Sequence, residues 1–153
     1  MYSFDRLTLL VSLAAVSLLT APESTAQAPS GVAPPPRPDV TITMRDYAFE
    51  MDSTLPSGQH VISLRNEGHR THLMLLTRLS SEKTSRDVIS SLEHKSDAAA
   101  GEVVVASREV KAGRSTVVTV DLTPGRYSLV CTVRGMWNKP HYKSGMVRDI
   151  VVL

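Results

Sequence analysis

Four side chains of this sequence form a donor set that favours a soft metal ion. His72 follows a turn at 66–68, Cys131 lies within an apolar run, and His141 and Met146 lie close together near the end of the chain. Two imidazoles, a thiolate and a thioether suit copper, because the sulfur donors favour Cu(I) whereas imidazole serves both oxidation states. If the ligands are held rigidly in a geometry that both oxidation states accept, they rearrange little when the ion gains or loses an electron. The set therefore predicts one copper ion that exchanges single electrons.

The elements that must position these donors have the pattern of β-strands. Apolar and polar residues alternate with period two at 40–44, 60–64 and 116–122, which is typical of half-buried antiparallel strands. The most apolar runs are 71–76, which contains His72, and 127–133, which contains Cys131. Turn signals separate the runs, at 56–58, 66–68, 112–113 and 124–125. The pattern predicts an all-β sandwich of about seven or eight short strands.

One segment departs from the strand pattern. Residues 84–87, TSRD, resemble a capping box ahead of Val88, Ile89 and Leu92, whose spacing places them on one helical face. We therefore expect a short helix over about 84–94 that covers one end or edge of the sandwich.

The N-terminal part of the chain has the features of an export signal. The apolar run at 7–19 is too short to span a bilayer, and small residues precede a cleavage site before Gln27. We expect a signal peptide at 1–26, an extended tether with five prolines at 27–38, and one domain at 39–153. The protein would then be periplasmic or extracellular, and membrane-attached only if the signal segment is not cleaved.

Composition excludes several classes of function. Without residues 1–26 the chain has 16 basic and 13 acidic side chains and no basic stripe, so nucleic acid is not an expected partner. The motifs of serine hydrolases, zinc proteases and phosphate-binding loops are absent from the sequence, which argues against an enzyme with a small-molecule substrate. A lone cysteine, Cys131, cannot form an internal disulfide. Its sulfur is therefore either deeply buried or bound by another group.

Three motifs carry a resemblance to the cupredoxin family. Residues 66–72, NEGHRTH, resemble the Asn-x-Gly-x-x-x-His element that supplies the first histidine, and 124–131, PGRYSLVC, resemble the strand that delivers the cysteine. Residues 140–147, PHYKSGMV, resemble the segment with the second histidine and the methionine, and the three motifs occur in the expected order within 39–153.

The resemblance implies a plastocyanin-like or azurin-like Greek-key sandwich with a type 1 copper. It assigns the ion to four residues, His72, Cys131, His141 and Met146. It further implies that the protein shuttles electrons, and we expect a monomer that exchanges them with redox partner proteins.

The chain departs from the family pattern between Cys131 and His141. Nine residues, 132–140, separate these two donors, whereas small cupredoxins have only a few. Because each extra residue adds conformational freedom, we expect a looser or more solvent-exposed site. Met136 and Trp137 within the insertion would form an apolar lid, a docking patch for a redox partner, or merely local packing.

Two other functions use the same residues. A copper storage or delivery protein would have the same donors in a more open site. A metal-free binding module would keep the sandwich, with Cys131 as a small buried hydrophobe and Met146 as core filler. In that module His72 would be a hydrogen-bonded core histidine and His141 an exposed imidazole.

Overall fold

The computed structural model describes residues 37–94 and 100–153. The predicted signal peptide at 1–26 and most of the predicted tether at 27–38 lie outside these residues. Within the described part, nine strands and one helix follow one another in this order: β1 (Val40–Arg45), β2 (Ala48–Glu50), β3 (Thr54–Leu55), β4 (Gly58–Asn66), β5 (Leu75–Leu79), α1 (Ser85–His94), β6 (Gly101–Ala106), β7 (Ser115–Leu122), β8 (Gly125–Val130) and β9 (Val147–Val152).

The strands of the described residues form two sheets. One sheet has the order β2-β1-β4-β7 and the other the order β3-β9-β8-β5-β6. Neighbouring strands are antiparallel except for two parallel pairs, β1 with β4 and β3 with β9. The all-β sandwich predicted from the sequence is confirmed. It has one strand more than predicted, because β2 and β3 are too short to show a periodicity.

Alternation along the strands builds the core between the two sheets. Ile42 and Met44 in β1 and Ile62 and Leu64 in β4 are buried, and their neighbours in sequence are more exposed. Burial of an aliphatic side chain of this size stabilises a fold by about 1.5–3 kcal/mol. The core also contains Phe49, Leu55, Met74, Leu76, Val110, Val120, Leu122, Tyr127, Leu129, Cys131, Met146, Ile150 and Val152.

The predicted helix is present, but its location differs from the prediction. Asp87 accepts hydrogen bonds of 2.9 Å from both the amide and the hydroxyl of Thr84, which is the acidic half of a capping box. Val88 packs in a cluster with Val130 and Tyr142. The helix thus covers a face of the five-stranded sheet, not an end or edge, because β8 also presents apolar side chains on its outer side. Within the described residues, no helix is apolar and long enough to cross a membrane.

Candidate metal site

His72 is positioned by a turn that Asn66 holds in place. At the end of β4, the buried Asn66 side chain donates hydrogen bonds of 2.7 Å to the carbonyls of Arg70 and Val110, and its Oδ1 accepts one of 2.9 Å from the Gly68 amide. The backbones of His72 and Val110 then exchange hydrogen bonds of 3.1 and 2.7 Å. His72 therefore lies in a single bridge before β5, and not on a continuous strand with 71–76 as the apolar run indicated.

Cys131 and His141 are brought together by backbone hydrogen bonds. The Cys131 amide follows β8 and donates to the Met146 carbonyl at 3.2 Å. The His141 amide donates to the Val133 carbonyl at 2.8 Å, and the Tyr142 amide donates to the Cys131 carbonyl at 3.0 Å. These bonds continue the pairing beyond the sheet, so that the two side chains meet in spite of the nine intervening residues.

The insertion at 132–140 closes on itself. The Gly135 amide donates to the Lys139 carbonyl at 2.9 Å, and Arg134 forms a β-bridge with Pro140. The inserted residues thus leave the paired backbone and rejoin it at neighbouring points. The length of the insertion therefore adds little conformational freedom to Cys131 and His141.

The predicted donors are buried, which contradicts the expectation of a looser or more exposed site. His72 and Cys131 are 0% exposed and His141 is 2% exposed. A Cβ atom on Gly135 would lie 3.0 Å from Nε2 of His141, so a glycine there lets the inserted loop lie against the imidazole. Tyr47 packs edge-on against the same ring, with 5.0 Å between centroids.

Three donor atoms form a triangle of the size that a metal ion requires. Nδ1 of His72 lies 3.1 Å from Nδ1 of His141, and Sγ of Cys131 lies 4.0 and 3.6 Å from these two nitrogens. A circle through three atoms at these separations has a radius of about 2.1 Å, close to metal–nitrogen and metal–thiolate distances of about 2.0–2.3 Å. No side chain has to move to place all three atoms within bonding distance of one ion.

Burial sets the protonation of two of these donors. It raises the pKa of the Cys131 thiol above its usual value. It also lowers the pKa of His141, assisted by the charge of Arg70, so the neutral form of this imidazole is favoured. A neutral imidazole offers a lone pair, whereas a cation entering the site must displace the thiol proton.

Asp46 is a neighbour of the site that sequence reasoning missed. Its Oδ1 lies 2.7 Å from Nε2 of His72, on the side of the ring away from the other donors. Burial raises the Asp46 pKa, but hydrogen bonds from His72 and from the amides of His69 and Arg70 outweigh it and hold the pKa below its usual value. The position directly after β1 carried no functional signal, because alternation does not show that β1 ends beside the turn before His72.

The structure places the other predicted residues as follows. Met146 is fully buried in the core, and its main chain bonds to both Cys131 and His141. Its role as a ligand stays a prediction. Met136 and Trp137 are 61% and 91% exposed, so they do not form a packed lid over the donors.

Sequence comparison finds no matching family model and no similar curated protein. Structural comparison finds auracyanin from Roseiflexus castenholzii, 18% identical over 74% of this chain and 94% of that chain, with a TM-score of 0.54. Auracyanin A from Chloroflexus aurantiacus, a "blue" copper protein, is 21% identical over 74% and 98% with a TM-score of 0.52. An azurin from Methylomonas sp. strain J is 15% identical over 74% and 95% with a TM-score of 0.50.

These solved structures are cupredoxins, and the chain has the cupredoxin fold. The resemblance drawn from three sequence motifs is thereby supported at the level of the fold. At the observed identities the likeness concerns architecture, and the chemistry has to be argued from the residues of this chain.

Proposed function

We propose that this protein is an exported type 1 copper protein that holds one copper ion and transfers single electrons. His72, Cys131 and His141 would supply the three strong donors, and Met146 a weaker fourth one. The observation that carries the proposal is the buried triangle of two Nδ1 atoms and one Sγ atom. The cupredoxin fold supports it independently, because auracyanin A shares that fold and is a "blue" copper protein.

The residues around the donors fit a carrier of electrons. When bound, copper would accept and release one electron by cycling between its two oxidation states. The chain holds His72 by a backbone bridge and His141 by a hydrogen-bonded turn, so these ligands keep their positions in both states. Low exposure excludes water that would otherwise reorganise around a changing charge. Fixed donors and exclusion of water both favour fast electron exchange.

The redox partner would be a protein that approaches the inserted loop. Met136 and Trp137 project from the segment that lies against His141, and aromatic and methionine side chains are enriched at protein interfaces. The loop segment 132–145 carries basic side chains and no acidic ones. This distribution favours an acidic partner surface over a basic one.

The first test is to add one equivalent of Cu(II) to the full chain and record visible absorption and electron paramagnetic resonance. We expect an intense thiolate-to-copper band and narrow hyperfine splitting. A Cys131→Ser control should lose the band, because a hydroxyl cannot replace the thiolate as an electron donor to copper.

Two other results would favour other functions. Copper bound without the band would indicate storage or delivery of the ion. Failure to bind copper at all would indicate a metal-free binding module, with His72 and Cys131 as core residues. The closed, buried arrangement of the donors argues against a site built for rapid release.

Export to the periplasm or the cell exterior is part of the same proposal. It rests on the apolar run at 7–19 and the small residues before Gln27, which precede the described residues. N-terminal sequencing of the protein recovered from the expression host would test it, with Gln27 as the expected first residue.

A further inference from the structure

A carboxylate lies directly behind one of the three donors. Oδ1 of Asp46 is 2.7 Å from Nε2 of His72 and the side chain of Asp46 is 21% exposed. An ionised carboxylate only accepts hydrogen bonds, so Nε2 carries the hydrogen. In a neutral imidazole the lone pair then resides on Nδ1, the atom that faces Cys131 and His141.

The carboxylate is itself fixed by the turn that precedes His72. Oδ2 accepts a hydrogen bond of 3.1 Å from the His69 amide, and Oδ1 accepts one of 3.2 Å from the Arg70 amide. A Cβ atom on Gly68 would lie 2.4 Å from Oδ1 of Asp46 and 3.0 Å from Nε2 of His72. The absence of a side chain at position 68 is therefore a steric condition for this contact.

Among the residues that the structure describes, no lysine or arginine side chain forms an ion pair with Asp46. In the described part of the chain its ion-pair partners are histidines: His72 at 2.7 Å, and the exposed His69 at 3.7 Å. The guanidinium of Arg70 is directed elsewhere, 5.9 Å from the ring centre of Tyr47 and 3.8 Å from the sulfur of Met136. A negative charge therefore remains one imidazole ring away from the donor triangle.

We propose that Asp46 is a positioning residue that orients His72 as an Nδ1 donor and favours the more positively charged state of the bound metal. The first part rests on geometry alone. The second part rests on the proposed function, since a negative charge near the site stabilises Cu(II) relative to Cu(I) and so lowers the reduction potential. Hydrogen-bonded carboxylates commonly increase the basicity of a metal-bound histidine in this way.

Two substitutions separate the roles of the hydrogen bond and the charge. In Asp46→Asn, Oδ1 can still accept from Nε2 of His72 and from the Arg70 amide, but the charge is gone. In Asp46→Ala both are lost. Asp39→Asn is the matched control, because Asp39 also contacts a buried histidine, His60, at the opposite end of β1.

The tautomer is measured on the metal-free full chain by long-range proton–nitrogen correlation of the His72 ring. We expect the Nε2–H form in the wild type, in Asp46→Asn and in Asp39→Asn, and a mixture of tautomers in Asp46→Ala. Zn²⁺ affinity, which requires no redox chemistry, should fall about ten- to a hundredfold in Asp46→Ala and stay unchanged in Asp39→Asn. An unchanged tautomer and an unchanged Zn²⁺ affinity in Asp46→Ala would overturn the positioning role.

The reduction potential of the copper-loaded protein tests the charge. It should rise in Asp46→Asn and stay unchanged in Asp39→Asn, and equal potentials in the two variants would overturn this part. If the wild type gives no thiolate-to-copper band, the proposed function fails, but the tautomer and the Zn²⁺ affinity still decide the positioning role. If Asp46→Ala does not fold, Asp46→Leu, which fills a similar volume but has no acceptor, is measured instead and has the same two outcomes.

Discussion

Two buried histidines in this protein each face an aspartate, and the two pairs lie at opposite ends of β1. Nδ1 of His60 is 2.6 Å from Asp39 and its Nε2 is 2.9 Å from the carbonyl of Pro56. His72 also contacts a carboxylate, that of Asp46, but its second nitrogen faces the other donor atoms. Since β1 has six residues, the aspartates that flank it are roughly 20 Å apart.

The difference lies in the group that faces the second ring nitrogen. A carbonyl can only accept, so both nitrogens of His60 donate and the ring is an imidazolium. The Pro56 carbonyl and Asp39 accordingly raise the pKa of His60 in spite of its burial. For His72, no carbonyl within residues 37–94 and 100–153 bonds to that nitrogen, which faces the other donor atoms and is available to a metal ion. The same pair of residue types therefore stabilises the fold at one end of the strand and prepares a donor at the other.

The largest contrast is expected from replacing each histidine by glutamine. His72→Gln should weaken Cu(II) binding by more than about 100-fold. Loss of a residue that only hydrogen-bonds to a metal ligand costs about ten- to a hundredfold, and loss of the ligand itself should cost more. His60→Gln should leave copper binding unchanged and lower the free energy of unfolding by about 1 kcal/mol, since one hydrogen bond to Pro56 or Asp39 is lost. Copper titration and urea unfolding of both variants measure this. Weaker binding in His60→Gln would remove the distinction between the two pairs.

Gly68→Ala tests whether the Asp46 pair depends on the space beside it. The added methyl group would meet Oδ1 of Asp46 at 2.4 Å, so we expect a loss of about 1–3 kcal/mol in stability and about tenfold weaker metal binding. Gly58→Ala is a useful control in the strand of His60. Its Cβ would meet nothing within 4 Å, but φ is 121°, so stability should fall without an effect on metal binding.

A double substitution tests whether contact with Asp46 causes the effect of a methyl group at position 68. If the clash with Asp46 is the cause, Gly68→Ala should cost much less stability in an Asp46→Ala background than in the wild type. Simple addition of the two effects would show that the methyl group acts through another contact.

The pH dependence of stability should identify the His60 pair. The pKa of His60 is raised, so its contribution is complete below its ordinary pKa of 6.5 and is lost as the pH rises through the higher folded-state pKa. The pKa of Asp39 is lowered, chiefly by the Val61 amide and also by His60, so its contribution is complete above 3.8 and is lost towards acid. Unfolding at pH 5.5 and pH 9 should show a smaller decrease in His60→Gln than in the wild type. Parallel curves would contradict an imidazolium at this position.

The smallest effect on the fold is expected at the surface loop, which belongs to neither pair. Trp137→Ala should leave the free energy of unfolding unchanged within about 0.5 kcal/mol, because the side chain is 91% exposed. It should slow electron exchange with an acidic redox protein by a few fold, on the order of the loss at one interface contact. Stopped-flow kinetics at several salt concentrations would measure this, with Val103→Ala as a control at another exposed apolar side chain. Equal rates for both variants would contradict a role of the loop in docking.

Much of the fold could be predicted from local pattern. Alternation at 40–44, 60–64 and 116–122 marked three strands, now β1, β4 and β7, and the TSRD motif marked the start of α1. These signals are local because a half-buried strand or a helix cap imposes its pattern on adjacent residues. The structure also brings together His72, Cys131 and His141, three of the four predicted ligands.

The remaining features depend on contacts between distant parts of the chain. Asp46 matters because β1 pairs in parallel with β4, so that β1 ends beside the turn before His72, and periodicity carries no information on such pairing. The expectation of an open site was wrong because the length of the loop at 132–140 does not set the conformational freedom of His141. The backbone bond from His141 to Val133 removes that freedom whatever the length of the excursion.

The parallel pairing of β1 with β4 gives the two aspartates a further consequence for strand alignment. A slip of two residues would return every side chain to its own face of the sheet, so burial alone discriminates poorly against it. Such a slip would shift β1 by about 7 Å and withdraw both carboxylates from their imidazoles at once. The Asp–His contacts at the two ends of β1 therefore both favour the native register. A chain that pairs in the wrong register loses the contact to His60 and the contact to His72 together.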